Sequence, residues 1–393
     1  MRINSIAVKN YKALRDIKID DIPNMAVFLG MNGAGKSTLF DVFGFLHDCL
    51  VGNVRTALSK RGGFKEVRSR EQSGAIEFEI KFRAEENEPL VTYILQINLN
   101  EFNEPVVYRE ILRFRRGRKG SPWHMLDFSN GAGFAIAGEP ESFKSVQFAD
   151  RDEQRLDSPD ILAIKGLGQF KKFKAVSTFR RFIEDWHVSD FHIEEARMTK
   201  DAGYSEQLST TGDNLSLVAK YMFENHREKF DGILEKMSKR VPGVEKVEAK
   251  ETEDGRIILR FQDGKFKDPF VARFVSDGTI KMFAYLILLN DPKHHNLLCV
   301  EEPENQLYPK LLHELAEEFR QYAESGGQVF VSTHSPDFLN AVNINEIFCL
   351  QKKDGFTSII RANKVDIIKR LVDAGDLPGS LWNQGFFEEV FTE

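Results

Sequence analysis

Gly30-Met31-Asn32-Gly33-Ala34-Gly35-Lys36-Ser37, followed by Thr38, fits the pattern G-x-x-x-x-G-K-[ST] in full. Before it, Met25-Ala26-Val27-Phe28-Leu29 reads as a buried strand, and after it Thr38 to Leu50 continues as an apolar helix. The chemistry needs this setting. Glycines let the loop wrap closely, so that successive backbone N–H groups from Asn32 through Gly35 and the helix N-terminus meet phosphate oxygens. Lys36 is placed to reach the β- and γ-phosphates, and Ser37 to offer its hydroxyl to Mg2+. A glycine-rich turn with a chance lysine would lack the flanking strand and helix. The stretch predicts nucleotide binding without choosing among P-loop folds.

Working outward, Leu297-Leu298-Cys299-Val300-Glu301-Glu302-Pro303 is an apolar strand that ends in two carboxylates. Strand carboxyl ends are where open α/β sheets hold their ligands. Glu301 is the candidate Mg2+ ligand, through its water shell, and Glu302 the candidate general base that polarises an attacking water. A strand ending in two solvated acids is common, so its weight comes from the loop upstream. Phe274-Val275-Ser276-Asp277-Gly278-Thr279 leads into another apolar helix 25 residues before Glu301. Its Ser-x-Gly turn is either a plain N-cap or a second anion site built from backbone N–H groups. Val329-Phe330-Val331-Ser332-Thr333-His334 is a strand tipped by a histidine 32 residues after Glu302, a place from which a ring nitrogen touches a γ-phosphate.

The rest of the chain frames these motifs. Short strands at Ile3 to Val8 and Leu14 to Ile19 open it, and Ala75 to Phe82 and Val91 to Leu99 alternate as antiparallel strands. Residues 103–212 are mixed, with a loop-like segment from Asp150 to Pro159 and an aromatic-rich region from Phe170 to Phe191. Asn214 to Met237 reads as one amphipathic helix ending before Pro242-Gly243, and two strands then flank Asp254-Gly255. Helix, strand, helix and strand from Asp277 to Ser332 restore an α/β rhythm.

Composition bounds the function. At about 150 residues per domain, 393 residues make two to three domains or one large fold with an insertion. Hydrophobic residues at 41% and charged residues at 29% exclude wholesale disorder, and 33 Phe point to a well-filled core. The longest apolar run, Met282 to Leu289, is far below the roughly 20 residues of a membrane span, and the start lacks a secretory h-region. Cys49, Cys299 and Cys349 have no metal or disulfide spacing and read as buried thiols of a cytoplasmic protein. A net charge of −6 excludes nucleic-acid binding by bulk charge alone.

In their order and spacing the four motifs resemble the ATP-binding-cassette ATPases, in the soluble branch of SMC, RecF and OLD-type proteins. Asn10-Tyr11-Lys12 is similar to the "NFR" segment of that branch, and Glu301 to Pro309 (EEPENQLYP) to its "EEPE-LHP" Walker B and D-loop. The likeness covers about residues 1–100 and 212–350. It implies an α/β head, with a mixed sheet, an antiparallel N-terminal β lobe and a helical lobe, carrying a mixed α+β insertion. The expected division is 1–102 and 213–350 for the two parts of the head, 103–212 for the insertion, and 351–393 for a tail. The resemblance further implies that Ser276 and Gly278 belong to the signature motif, Asn305 to Leu307 to the D-loop, and His334 to the switch histidine. Two departures stand out: Glu301 where most cassettes have Asp, and Thr279 where transporters often have Gln. The Q-loop residue has only Gln72 as a weak candidate.

In such cassettes the signature of one subunit closes over nucleotide held by the other, so this chain is expected to work as a homodimer or higher oligomer that sandwiches ATP and Mg2+. The 240 residues from Lys36 to Ser276 carry no sustained heptads, and the 59 after His334 are too few for a TOPRIM nuclease domain. The likeness is then to the stand-alone ATPases of bacterial anti-phage and toxin-like systems, which regulate a separately encoded nuclease or toxin. The alternative is a RecF-like DNA-repair clamp. Arg109 to Lys119, where basic side chains interleave with an aromatic, and Lys171-Lys172-Phe173-Lys174 with Arg180-Arg181 keep DNA open as a partner. Each stretch reads equally as a solvated basic face. A transporter motor fits poorly, because the insertion interrupts the cassette.

Overall fold

The computed structural model describes residues 1–84, 88–114, 122–137 and 151–389. Along the chain, β1 (Arg2–Tyr11) and β2 (Leu14–Ile19) form a hairpin. β3 (Met25–Leu29) then runs into the phosphate loop, and α1 (Lys36–Val51) leaves it. Two short helices, α2 (Val54–Ser59) and α3 (Phe64–Val67), precede β4 (Ile76–Arg83), β5 (Val91–Leu99), β6 (Pro105–Phe114), β7 (Trp123–Ser129), β8 (Ala132–Ile136) and β9 (Arg151–Arg155). These strands build one antiparallel sheet in the order β2-β1-β4-β5-β6-β7-β8-β9. In β4 the period of two is plain: Ile76, Phe78, Ile80 and Phe82 are buried, while Glu77, Glu79 and Lys81 face outward.

After α4 (Ala163–Leu167) and α5 (Lys174–Glu184) comes β10 (Trp186–Ser189), followed by α6 (Ile193–Ala196), β11 (Lys200–Asp201), α7 (Leu215–Asn225) and α8 (Arg227–Arg240). A small sheet of β11, β12 (Val244–Glu251), β13 (Arg256–Asp263) and β14 (Phe270–Val271) leads to α9 (Asp277–Leu289). β15 (Leu297–Glu301), α10 (Pro309–Glu324), β16 (Val329–Thr333) and α11 (Pro336–Leu339) follow, then β17 (Ile347–Lys353), β18 (Phe356–Arg361), α12 (Asp366–Asp373), α13 (Pro378–Asn383) and α14 (Phe386–Glu389). The central sheet has the order β10-β15-β16-β3-β17-β18, parallel up to β17, with β18 antiparallel at its edge.

β3 shows why this sheet is the middle layer. Ala26 and Phe28 enter the core shared with the antiparallel sheet and α1, whereas Met25, Val27 and Leu29 enter the core under α9 and α10. A strand buried on both faces reads as a continuous apolar run, as MAVFL does. On the first side Phe28 stands edge-on to Phe40 and Phe330 and stacks on Phe348 at 5.5 Å. Much of the phenylalanine stock is spent there. The three cysteines are buried and free, and among the described residues no helix is long and apolar enough to cross a membrane.

Three expectations need correction. The stretch 103–212 is not a body of its own. β6 pairs with β5 across nine registered positions, α5 packs on α1, and β10 lies beside β15, so the region completes both sheets of the head. The expected helix Asn214 to Met237 is two helices, broken at His226 (φ −136°, ψ 51°), whose ring meets the Tyr221 hydroxyl at 3.1 Å. The break lets α7 and α8 each pack against α9. The tail does not begin at 351, because β17 and β18 occupy 347–361. Beyond them Ile368, Leu381 and Phe387 are buried, and α13 lies on α11, so the described part of this segment packs on its own head.

Candidate functional site

The phosphate loop is pinned from below. Gly33 and Gly35 have φ of 82° and 103°, a region that only glycine enters freely. A Cβ on Gly35 would overlap the Thr357 hydroxyl, and one on Gly30 would lie 2.7 Å from the Leu350 carbonyl. Thr357 Oγ1 donates to the Ala34 carbonyl at 2.9 Å, and its backbone N–H to Ala13. The β17–β18 hairpin therefore sets the loop's shape. Asn32, Gly33 and Ser37 are open on its rim, Thr38 is half-buried in the first turn of α1, and Ala34 and Lys36 are buried. Lys36 Nζ donates to the carbonyls of Gly30 (2.8 Å) and Met31 (3.3 Å) and lies 3.5 Å from Glu302 Oε1. On α1, Asp41 gathers Tyr11, Lys12 and Arg61.

The carboxyl ends of β15 and β16 meet this loop. Glu301 ends β15 in register with Ser332, and its carboxylate takes a hydrogen bond from Ser37. Burial first, then the Asp190, Glu302 and Asp41 carboxylates, raise the Glu301 carboxyl above its ordinary value, against the Ser37 hydrogen bond. A divalent cation relieves such a concentration of negative charge, so the Ser37–Glu301 pair fits Mg2+. Among the described residues no three His, Cys, Asp or Glu side chains could hold a metal by themselves. That suits Mg2+, which is held by one or two protein groups together with phosphate oxygens and water.

Glu302 follows in the left-handed region (φ 39°), its N–H donating to the Ser332 carbonyl at 3.0 Å. A non-glycine residue held there stores backbone strain, a feature that clusters at active sites. Burial pushes its carboxyl up, but the Asn305 amide, the Lys36 ammonium and His334 outweigh it and hold the group below the usual carboxylate value. Glu302 is therefore ionised at neutral pH. His334 Nδ1 lies 3.4 Å from Oε1 of both Glu302 and Glu304.

Ser276 and Gly278 sit at the start of α9. The Ser276 hydroxyl accepts from Thr279 N–H at 3.4 Å and touches Thr279 Oγ1 at 2.7 Å, so within one chain it is an N-cap. Gly278 lets α9 approach the 306–307 turn, since a Cβ there would stand 3.0 Å from the Gln306 carbonyl. Thus Lys36, Ser37, Glu301, Glu302 and His334 come together, and Gly278 lies against the 306–307 turn.

Sequence reasoning missed four contributors. Asp190, just past β10, adds its charge to Glu301 and Lys281. Lys281 is buried on α9 and donates to the carbonyls of Asn305 (2.9 Å) and Glu302 (3.4 Å). Burial lowers its ammonium to about 8, against the pull of Glu304, Asp190 and Glu302. Arg197 braces the signature turn through the Val275 carbonyl (2.7 Å) and Asp277. Trp382 Nε1 donates to the His334 carbonyl at 3.1 Å. A lysine inside the apolar run of α9 was a legible signal; Asp190 and Trp382 had none. Gln72 donates its backbone N–H to Ser69 in the turn after α3.

The basic stretches are largely spoken for. Arg109 pairs with Asp127 (2.6 Å), Arg113 approaches Glu79 (4.0 Å), Lys172 pairs with Asp152 (2.5 Å) and Arg180 with Glu184. Arg115, Arg116, Gly117, Arg118 and Lys119 lie outside the described residues, as do Asp150 and Phe391.

The sheet order and the convergence of loop, paired carboxylates and histidine define an ABC-type P-loop ATPase head of mixed α/β fold. Solved structures agree on the fold. The chain is similar to the Smc head bound to the C-winged helix domain of ScpA, with 12% identity and a TM-score of 0.58 over 92% of this chain and 98% of that one. It is also similar to the Smc head domain with an extended coiled coil bound to the C-terminal domain of ScpA from Pyrococcus furiosus, at 14% identity and a TM-score of 0.51 over 95% and 99%. No curated protein matches the sequence. The family described as "AAA domain, putative AbiEii toxin, Type IV TA system" matches residues 25–340, and the chain belongs to it.

Proposed function

We propose that this chain hydrolyses ATP at a site closed by a second copy of itself, and that the cycle holds and releases a separately encoded effector, a nuclease or toxin, in the cytoplasm of a bacterium under phage attack. The observation that carries the chemistry is the single cluster of Lys36, Ser37, Glu301, Glu302 and His334. The loop amides and Lys36 bind the phosphates. Lys36, drawn from the Gly30 and Met31 carbonyls, exchanges those bonds for β- and γ-oxygens. Ser37 and Glu301 would hold Mg2+, which supplies charge neutralisation at the phosphates. Glu302, kept ionised by Asn305 and Lys36, takes the proton of the attacking water, and His334 faces the γ-phosphate. Positioning and electrostatics do most of the work in such a transfer.

Within its own chain Ser276 only caps α9, and the likeness to cassettes whose signature closes over a partner's nucleotide supports a trans arrangement by two-fold pairing. Membership of a family described as a putative toxin of a toxin–antitoxin system supports an effector partner, and two SMC heads that this chain resembles in fold are described with a ScpA domain bound. Pairing of Arg109, Arg113, Lys172 and Arg180 with carboxylates weighs against a DNA clamp. The test is turnover with and without Glu302→Gln. The unmodified protein should release phosphate from Mg-ATP. The variant should retain ATP while losing about 100-fold or more in rate, since base catalysis contributes about 10²–10⁴. Near-normal turnover by the variant rejects Glu302 as the base.

A further inference from the structure

We infer that Glu304 is the positioning residue for His334, holding the histidine so that Nδ1 faces the carboxylates and Nε2 is left for the γ-phosphate. The inference rests on the ATPase reading above and goes beyond it, because neither the motif nor the family likeness gives this third carboxylate a task.

Glu304 does not face the substrate side as Glu302 does. Its side chain is only 8% exposed, and Oε1 accepts two hydrogen bonds at 2.8 Å, from Thr333 Oγ1 and from the His334 backbone N–H. Both donors belong to the tip of β16. The chain turns there from strand into α11, so this one oxygen fixes where the strand ends and where residue 334 begins. On the far side the Trp382 indole N–H holds the His334 carbonyl. The main chain of His334 is therefore gripped at its N–H and at its C=O, and the ring has little freedom beyond its own side-chain torsions.

The ring's nitrogens then have unequal surroundings. Nδ1 has two carboxylate oxygens at 3.4 Å, from Glu302 and Glu304. It is buried and has no hydrogen-bond partner among the described residues, and so is Glu304 Oε2. Buried polar atoms left in this state mark a contact that closes in the working complex. Catalytic hydrogen bonds are commonly long before substrate binds and shorten when it does. With carboxylates as its neighbours Nδ1 must carry the proton, since a lone pair facing two carboxylates would be repelled. Nε2 is then the nitrogen available to phosphate. Glu304 acts through His334 and does not touch the reacting atoms.

Lys281 gives this arrangement a foundation. It feels Glu304 as its strongest opposite charge, and its Nζ holds the carbonyls of Glu302 and Asn305 on either side of Glu304 in sequence. The start of the D-loop is thereby fixed from beneath while Glu304 fixes the histidine from beside.

The experiment compares Glu304→Gln and Glu304→Ala with the unmodified full-length protein in steady-state ATPase assays, equilibrium ATP binding and ¹⁵N-histidine NMR. The amide oxygen of Gln can still accept from Thr333 and from the His334 N–H, and Ala cannot. Glu304→Ala should lower kcat about 10- to 100-fold, the usual cost of removing a group that orients a catalytic side chain. Its ATP dissociation constant should stay within about threefold. Glu304→Gln should recover most of the lost rate. His334 should show a protonated Nδ1 in the unmodified protein and a mixture of tautomers in Glu304→Ala. Unchanged kcat in Glu304→Ala overturns the proposal, as does a Gln variant as slow as Ala, which would make the charge itself the requirement. An unprotonated Nδ1 in the unmodified protein overturns it too. The NMR arm needs no turnover, so absence of ATPase activity would reject the functional reading while leaving the placement of His334 separately tested.

Discussion

At the scale of the residue, Lys36 shows how the loop satisfies a buried charge. Its ammonium is buried, satisfied by two loop carbonyls and drawn toward Glu302. Hydrogen bonds to a charged group contribute about 1.5–3 kcal/mol each, so Lys36→Ala should weaken ATP binding by at least 10- to 100-fold, measured by titration calorimetry. Binding within threefold of the unmodified protein would mean that the loop amides alone carry the affinity. At this scale much was legible. Glu301, Glu302, Lys36 and Ser37 stand where their motifs placed them, because strand ends and glycine loops specify local geometry over a few residues. Asp190, Glu304 and Trp382 act through contacts between distant segments, and no local pattern encodes those. Ser276 is intermediate: its capping bond was readable, whereas the proposed trans role needs a second chain.

At the scale of the element, the phosphate loop depends on the β17–β18 hairpin more than 300 positions away in sequence. Gly33 and Gly35 both have positive φ, but a Cβ on Gly33 meets nothing within 4 Å, whereas on Gly35 it runs into Thr357. Ala at Gly33 should cost about 1 kcal/mol of stability from backbone strain alone. Ala at Gly35 should cost roughly 1–3 kcal/mol more, as overpacking does, when both are followed by urea denaturation. The reverse order would remove the pinning role given to Thr357. β10 is the element the sequence concealed. Trp186-His187-Val188-Ser189 is only four residues long and follows α5 after a single residue, yet it is the edge of the central sheet and leads to Asp190. His226, by contrast, broke a helix whose apolar spacing ran on through it, because packing two shorter helices on α9 overrode local propensity.

At the scale of the whole molecule, Glu110 holds the 103–212 stretch together and joins it to β5. From β6 it accepts from the Tyr93 hydroxyl and from the backbone N–H groups of Ala163 and Ile164 at the start of α4, tying sheet to helix across 53 residues. It is fully buried. Desolvation raises its carboxyl to about 7, although those three donors pull it back. The unfolded chain titrates near 4.5, so between 4.5 and 7 the folded state binds more protons. The stabilisation is complete below 4.5 and is lost as pH climbs through about 7. Glu110→Gln has no such proton to lose, and relative to the unmodified protein it should gain on the order of 1–3 kcal/mol between pH 5 and pH 7.5. Parallel stability curves for the two proteins would show that Glu110 ionises as a solvated carboxylate does.

The proposed two-fold pairing makes a sharper demand, that one chain's Lys36 works with another chain's Ser276. The direct measurement is the ATPase rate of an equimolar mixture of Lys36→Ala and Ser276→Arg chains, compared with each alone. Each alone should stand at background, the first with an empty cradle and the second with a blocked cap. Free exchange makes half the dimers mixed, and each mixed dimer has one site with both intact residues and one with neither. The mixture should therefore regain about a quarter of the unmodified rate. A Ser276→Arg chain that hydrolyses ATP at the unmodified rate by itself, with mixing adding nothing, contradicts the account.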